Sequence, residues 1–367
     1  MRRTALPRNT PSILLLSPYH AHSHAYWCEG LMARLPEFDW TLISMPARHF
    51  SWRIRANSLW LAGQIPRRPR FDLIIATSMT DLSYLAMRRE LAATPRLVYF
   101  HENQFAYANA EIDLDICLLQ VKTALAADKL VFNTRYNQDS FTAGARDFFL
   151  QFPDFPPAGV EQEITHKSSV LPVPIEVQRT DKARLPEKRR ILWNHRWEHD
   201  KGPELLLAIL DDLESSGFDF ELVLCGQRFR AIPEALQVVL RRHAEKIVLN
   251  EFIEDANAYH AAMRGCGIVL STALHDFQGL SILEAAALGC IPVVPDRLAY
   301  REYVPNRFRY ACGRDDRLVE ARGAASKIIA VANGELTAEG LGEAIFSEFG
   351  WPSWQRRYRE LIESMIS

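Results

Sequence analysis

The stretch from Leu270 to Pro295 reads LSTALHDFQGLSILEAAALGCIPVVP. A β-branched apolar run, Gly267 to Ser271, stops in a polar loop, and a helix of small residues then starts near Gly279 and leads into a second apolar run, IPVVP. This is a βαβ unit whose polar groups lie at the carboxyl end of a strand. Asp276 sits in the loop, and Glu284 follows eight residues later. Gly279 removes a side chain where the backbone must approach a ligand, and the N–H groups of the first helical turn are free for anionic oxygens. Such a loop suits a phosphate or a sugar ring.

Working outward, the same pattern fills the second half of the chain. RILWNH (190 to 195), FELVLCG (220 to 226), KIVLNEF (246 to 252) and GIVLST (267 to 272) precede IPVVP (291 to 295). The first half repeats it with ILLLS (13 to 17), WTLISM (40 to 45), DLIIATS (72 to 78), RLVYFH (96 to 101) and KLVFNT (129 to 134). Continuous apolar runs separated by helical stretches predict parallel sheets covered on both faces. The expected fold is therefore α/β, with two Rossmann-like doubly wound domains facing across a cleft that takes the ligands. Between Asn137 and Val177 the pattern breaks into Phe, Pro and Gly residues, and VLPVPI leads into the charged stretch QRTDKARLPEKRR (178 to 190), where the linker is expected. The expected divisions are residues 1–177, 178–350 and a last helix, 351–367, with Trp354, Tyr358, Leu361 and Met365 at helical spacing and packing back across the junction.

At 367 residues the chain exceeds what one core supports, in keeping with two domains. A composition 48% hydrophobic and 24% charged is that of a globular protein, and a formal charge of -2 gives no global attraction to nucleic acid or membrane. The six cysteines form no C-x-x-C pair, and they read as reduced, mostly buried thiols of a cytoplasmic protein. The amino terminus has only four consecutive apolar residues, too few for a signal or a span. No G-x-G-x-x-G or Walker loop follows a strand, which disfavours NAD enzymes and P-loop NTPases.

The second domain opens with ILWNHRWEHDKGPE, where a strand ends at Asn194 and a helix starts near Pro203. Arg196 and Lys201 lie between them. An Arg and a Lys there can stabilise a diphosphate leaving group, or they are two solvated surface cations. Taken with Asp276 and Glu284, they resemble the donor half of a retaining GT-B glycosyltransferase of the glycogen-synthase-like class, marked by two acids separated by seven residues. Where that class usually has Glu, this chain has Asp276, one methylene shorter. The strings HENQ (101 to 104), FNTRYN (132 to 137), WNHRWEHDK (193 to 201), STALHDFQG (271 to 279) and PDRLAYREYVP (295 to 305) narrow the match. With SPYHAHSHAYW (17 to 27) and WRIRANSLW (52 to 60), they resemble the tRNA-queuosine mannosyltransferase family over most of 12–137 and 190–305.

That resemblance implies transfer of mannose from GDP-mannose to the cyclopentene diol of queuosine in a tRNA anticodon, with retention and no metal strictly required. It implies a donor side of Asn194, Gly226, Ile253, Phe277, Gln278, Gly279, Leu280 and Glu284, with Glu284 on the ribose hydroxyls. Arg196 and Lys201 meet the diphosphate and Asp276 the reacting sugar, while His101, by its place at the end of the fourth strand, is expected to point into the cleft and hydrogen-bond the sugar or the reaction centre. Ser23 and His24, expected in the loop after the first strand, and Glu102, Asn103 and Asn133 fall on the acceptor side. A satisfied core histidine is the other reading of His101. His20, His22 and His24 alternate without an obvious acid partner, which favours solvated side chains over a metal site. Trp193, Cys290 and Tyr300 read as core.

From Trp40 to Phe71 there is no acid, while Arg48, Arg53, Arg55, Arg67, Arg68 and Arg70 interleave with Trp52 and Trp60. Guanidinium forks pair phosphates and aromatic faces stack unpaired bases, so a solvated basic face and an RNA dock both fit. WRIR belongs to the resemblance and assigns RNA contact to Trp52, Arg53 and Arg55. The competing functions are a transferase of the same fold building lipopolysaccharide or exopolysaccharide, and a sugar-nucleotide binding protein without turnover. Oligomeric state is not readable.

Overall fold

Each continuous apolar run forms a strand, and every strand pairing among the described residues is parallel. Strands buried on both faces require this composition. The computed structural model describes residues 10–66, 70–107, 113–177, 186–229, 231–313 and 316–366. The chain divides into two compact units, one of residues up to Val173 with those from Pro352 onward, the other Pro174–Trp351.

In the first unit the strands are β1 (Ser12–His20), β2 (Asp39–Pro46), β3 (Leu73–Thr77), β4 (Arg96–Phe100), β5 (Lys129–Phe132) and β6 (Ser168–Val170), ordered β2-β1-β3-β4-β5-β6. Its helices are α1 (His22–Arg34), α2 (Phe50–Gln64), α3 (Leu82–Ala86), α4 (Leu114–Ala126), α5 (Arg135–Phe149) and α6 (Val160–His166). Up to residue 177 the stretch expected as a linker is thus largely α5, α6 and β6, and most of its charged part, 178–185, lies outside the described residues. Thr134 caps α5 by accepting the N–H of Asn137 at 3.1 Å. Phe141, Phe148 and Phe149 lie on its buried face, and Phe141 packs 4.7 Å from Phe100. The phenylalanines that break the strand pattern are therefore the core of a helix, each burial stabilising by about 2 kcal/mol.

The second unit holds β7 (Glu187–Trp193), β8 (Glu221–Leu224), β9 (Ile247–Asn250), β10 (Cys266–Leu270), β11 (Ile291–Pro295) and β12 (Arg309–Tyr310). Around them lie α7 (Pro203–Ser215), α8 (Glu234–Arg242), α9 (Ala256–Arg264), α10 (Leu280–Ala287), α11 (Tyr300–Tyr303), α12 (Arg317–Ala332) and α13 (Leu341–Phe349). The order β9-β8-β7-β10-β11-β12 places the reversal of winding between β7 and β10. Ile191 pairs with Ile268 and Leu192 with Val269, so the two strands end abreast and their following loops meet. Ligands of open α/β sheets bind at such a switch point.

The last helix, α14 (Trp351–Ile366), returns to the first unit. The Tyr358 hydroxyl accepts from Trp27 Nε1 at 3.1 Å and donates to the Pro172 carbonyl at 2.9 Å. Trp351, Tyr358 and Ile362 are the residues it buries most deeply, while Trp354, Leu361 and Met365 stay half-buried. No described helix is long and apolar enough to cross a membrane. All six cysteines are free, and burial pushes the Cys225 and Cys266 thiols up to about 12.

Candidate active site

The loops after β7 and β10 are joined by a ladder of side-chain bonds. Trp193 Nε1 donates to Thr272 Oγ1 at 2.9 Å, Thr272 Oγ1 donates to the Lys201 carbonyl at 2.6 Å, and His195 Nε2 lies 3.0 Å from Ser271 Oγ. This ladder holds Lys201 beneath the loop of the second strand. Lys201 Nζ donates to the His275 carbonyl at 2.6 Å and stands 3.3 Å from Asp200 Oδ2 and 3.9 Å from Asp276 Oδ2. Arg196 is half exposed, 2.9 Å from Glu198 and 3.8 Å from the same Asp200 oxygen. The two cations expected together are together, with Asp200 between them.

Asp276 is half-buried, and both its oxygens are engaged. Oδ1 accepts the N–H of Gly279 at 2.8 Å, and Oδ2 accepts the Tyr300 hydroxyl at 2.9 Å. Burial alone would raise its pKa, but Lys201 and the bonds from Tyr300 and Gly279 outweigh burial and hold the carboxyl below its ordinary value. His195 is pushed down to about 4, by burial first and then by Lys201, so it is neutral at pH 7. Gly279 has φ +72°, and a Cβ there would stand 2.6 Å from Tyr303 Oη and 2.8 Å from Tyr300 Cε1. Tyr303 also donates to the Gln278 carbonyl at 2.6 Å. Two tyrosines of α11 therefore clamp residues 276–279 from below, with Phe277 and Gln278 buried. Beyond them, the N–H groups of Leu280 and Ser281 open α10 without an acceptor among the described residues.

One turn further along α10, Glu284 is half-buried beside Tyr259, whose hydroxyl accepts from Asn194 Nδ2 at 2.9 Å. The Asn194 Oδ1 atom is buried and has no hydrogen-bond partner among the described residues. Gly226 is required by space: a Cβ there would sit 1.6 Å from the His195 carbonyl oxygen. Its expected closeness to the donor thus resolves into contact with the backbone of the β7 loop. Ile253 follows the edge strand β9 and makes no hydrogen bond to this group among the described residues.

In the first unit His101 follows β4 and stacks on His24, with ring centroids 4.2 Å apart. Burial, followed by His24 and His20, lowers its pKa well below the usual histidine value. The ring is neutral at pH 7, and its Nε2 is buried without a partner among the described residues. Of the other acceptor-side candidates of this unit, Ser23 and His24 lie in α1, a helix and not the expected loop, and His24 is an interior platform for His101. Asn103 is fully buried, donating to Asn137 Oδ1 at 2.8 Å and to Ser140 Oγ at 2.9 Å and accepting from the Ala106 N–H at 3.1 Å. Asn133 is likewise spent inside, donating to the His101 carbonyl at 2.9 Å. Glu102 stays half-buried, and its carboxylate accepts from the Tyr107 hydroxyl at 3.0 Å. Trp52 is exposed, and Arg53 is half-buried. Arg55 is tied by an ion pair to Asp113, the cap of α4. Arg67 and Arg68 lie outside the described residues.

Sequence reasoning missed Asp200, Tyr259, Tyr303 and the role of Tyr300. Asp200 lies inside the quoted WNHRWEHDK string, and Tyr300 and Tyr303 lie inside PDRLAYREYVP, so the signal was membership of a motif rather than chemistry.

A pair of doubly wound units, with a lysine, a charged acid and an open helix start at one switch point, belongs to the GT-B glycosyltransferases. Residues 175–332 match the family described as glycosyl transferases group 1. The fold is shared with sucrose-phosphate synthase from Thermosynechococcus elongatus at TM-score 0.74, with 12% identity over 97% of this chain and 99% of that one. It is shared also with Anabaena HepE, in complex with UDP, at TM-score 0.65, with 14% identity over 96% and 100%. Residues 12–175 match the family described as tRNA-queuosine alpha-mannosyltransferase N-terminal. A Drosophila melanogaster tRNA-queuosine alpha-mannosyltransferase is 34% identical over 315 residues, spanning 82% of this chain and 83% of its own. The chain belongs to the tRNA-queuosine alpha-mannosyltransferase family.

Tyr300 makes the shortened acid testable. The groups around Asp276 are Lys201, His195, Asp200, Tyr300 and Tyr303. Tyr300→Phe removes one donor to the carboxylate and is expected to cost about 2 kcal/mol of stability at neutral pH. Because the folded pKa of Asp276 is lowered, its stabilisation is present above the unfolded pKa and is lost as pH falls through the folded one. The variant loses it earlier on that descent, so the acid limb of the activity profile moves to higher pH. An acid limb that stays in place would show that Tyr300 only fills space.

Proposed function

We propose that this protein transfers mannose from GDP-mannose to the cyclopentene diol of queuosine in a tRNA anticodon, with retained anomeric configuration. The observation that carries the chemistry is Lys201, fixed by the His275 carbonyl beside Asp276 at the β7/β10 switch point. Sugar transfer passes through an oxocarbenium-like state while negative charge grows on the departing diphosphate. Lys201, Arg196 and the open N–H groups of α10 meet that charge, and Glu284 takes the ribose hydroxyls. The reading calls for no metal, since two cations and a helix start serve the leaving group. Asp276 has both oxygens bonded inside its own unit, which supports a front-face displacement in which the leaving phosphate assists deprotonation of the acceptor hydroxyl, with no carboxylate nucleophile.

On the first unit, His101 keeps Nε2 for a substrate hydroxyl while its ring rests on His24. His101→Phe preserves the stack and removes the nitrogen. It is expected to lower kcat/KM about tenfold, the worth of one hydrogen bond, with unchanged circular dichroism. Full activity of this variant would return His101 to the core.

The protein is read as working in the cytoplasm, on tRNA and a nucleotide sugar. A thermal-shift comparison of GDP-mannose with UDP and ADP sugars tests the donor. At a hundredfold excess over Kd the true donor adds about 2.7 kcal/mol of stability, so only GDP-mannose should raise Tm by several degrees. A larger shift with a UDP sugar would overturn the donor assignment.

A further inference from the structure

The solvent face of α2 is unusual for a surface helix. Inward, it buries Ile54, Asn57, Ser58, Leu61 and Ala62. Outward, Trp52 is 78% exposed, Leu59 63% and Trp60 43%. The helix cannot roll to hide them, because its inner polar residues pin its rotation. Asn57 Nδ2 donates to the Met79 carbonyl at 2.9 Å, Asn57 Oδ1 accepts the N–H of Asp81 at 3.0 Å, and Ser58 Oγ donates to Asp81 Oδ2 at 3.1 Å. Two indoles are thus held in water by a fixed scaffold, although burying either would stabilise the fold.

The segment's own charge has one sign, although Asp113 and Asp115 of α4 stand against Arg55. The segment from Trp40 to Phe71 contains no Asp or Glu, and exposed Arg48 and His49 lead into the helix, with Arg53 on its first turn. Arg55 is excluded, since its charge is met by Asp113. What remains is an aromatic face with a cationic approach at one end. Along the axis, Trp52 and Trp60 are about 12 Å apart, two separate platforms rather than one patch. Flat aromatic rings beside unopposed arginines fit unpaired nucleotides, which stack while their phosphates meet the cations. Two indoles and one leucine, interleaved with Ser51, Gly63 and Gln64, offer little apolar area to a bilayer.

We propose that the outer face of α2 is a stacking platform for unpaired bases of an RNA acceptor, with Trp52 and Trp60 as the base-contacting residues. The proposal rests on the tRNA reading above, and it replaces an arginine-led dock by an aromatic-led one.

The test is the double variant Trp52→Ala/Trp60→Ala, beside Trp52→Tyr/Trp60→Tyr, which keeps the rings. Transfer to tRNA and direct binding of labelled tRNA are measured together, with GDP-induced thermal shift as the check on folding. The alanine pair is expected to weaken tRNA binding at least tenfold and to raise KM for tRNA accordingly, with little change in kcat. The tyrosine pair is expected to recover most of the loss. Equal tRNA affinity of wild type and alanine pair overturns the platform, whether or not the wild type transfers mannose. A wild type that binds tRNA but transfers nothing to it overturns the proposed function instead. Loss of flotation on anionic vesicles, or loss of a dimer, with tRNA affinity unmoved would assign the face to lipid or to a second copy and overturn the RNA platform.

Discussion

Replacing Lys201 by methionine is expected to lower the rate of mannose transfer by two to three orders of magnitude, the usual effect of deleting one preorganised charge-stabilising donor, about 10²- to 10³-fold in kcat. Methionine fills nearly the same volume, so the change removes charge more than packing. Lys201 is nearly buried, and its ammonium is fixed by a carbonyl and flanked by two carboxylates. It therefore needs no reorganisation when charge develops on the diphosphate. Its removal also leaves Asp200 and Asp276 without their nearest cation in a poorly hydrated site, which costs about 3 kcal/mol of stability. Both effects are separable. Single-turnover transfer with GDP-mannose reads the chemical step, and thermal unfolding reads stability. Adding Asp276→Asn to the lysine variant should recover stability without recovering activity. If Lys201→Met alone transfers within threefold of the wild type, the leaving-group role belongs elsewhere.

The second large effect concerns backbone rather than charge. Gly226→Ala is expected to destabilise the protein by about 3 kcal/mol or more, because overpacking a closely packed contact costs that much and the His195 carbonyl stands 1.6 Å from where the new Cβ would lie. The obstacle is main chain, so no side-chain rotation relieves it. Opening it would push His195 and Arg196 away from Ser271, breaking the ladder that carries Lys201. Gly63→Ala, with nothing within 4 Å of the added carbon and a place in the last turn of α2, is the control and should leave stability unchanged or raise it by up to about 0.5 kcal/mol. Urea unfolding of the two variants gives the comparison. A Gly226→Ala midpoint equal to that of the wild type would refute the close-approach account.

The sequence revealed what depends on neighbours along the chain. Continuous runs such as CGIVL and IPVVP announce doubly buried parallel strands, and Asp276, Gly279 and Glu284 fall on one loop and helix whose geometry follows from local spacing. What it concealed depends on partners far apart. Arg55 looked available because Asp113 is 58 residues away. Tyr300 looked like core because its hydroxyl partner lies 24 residues upstream. Asn103 and Asn133 sat in matching motifs, yet motif membership does not distinguish a substrate contact from a strut, and Asn137 claims both. The phenylalanines after Asn137 hid a helix because aromatic composition masks helical spacing until the opposing strands supply the core.

Asp276 best shows how structure changed the reading. One methylene short of the usual glutamate, it does not stand idle. It orders Gly279, receives Tyr300 and faces Lys201.

The most direct test of the whole account is transfer of labelled mannose from GDP-mannose to two samples of the same tRNA, one carrying queuosine and one an unmodified transcript. The account predicts label on the queuosine-containing tRNA alone, abolished by Lys201→Met. Equal labelling of both samples, or none of either, would contradict it.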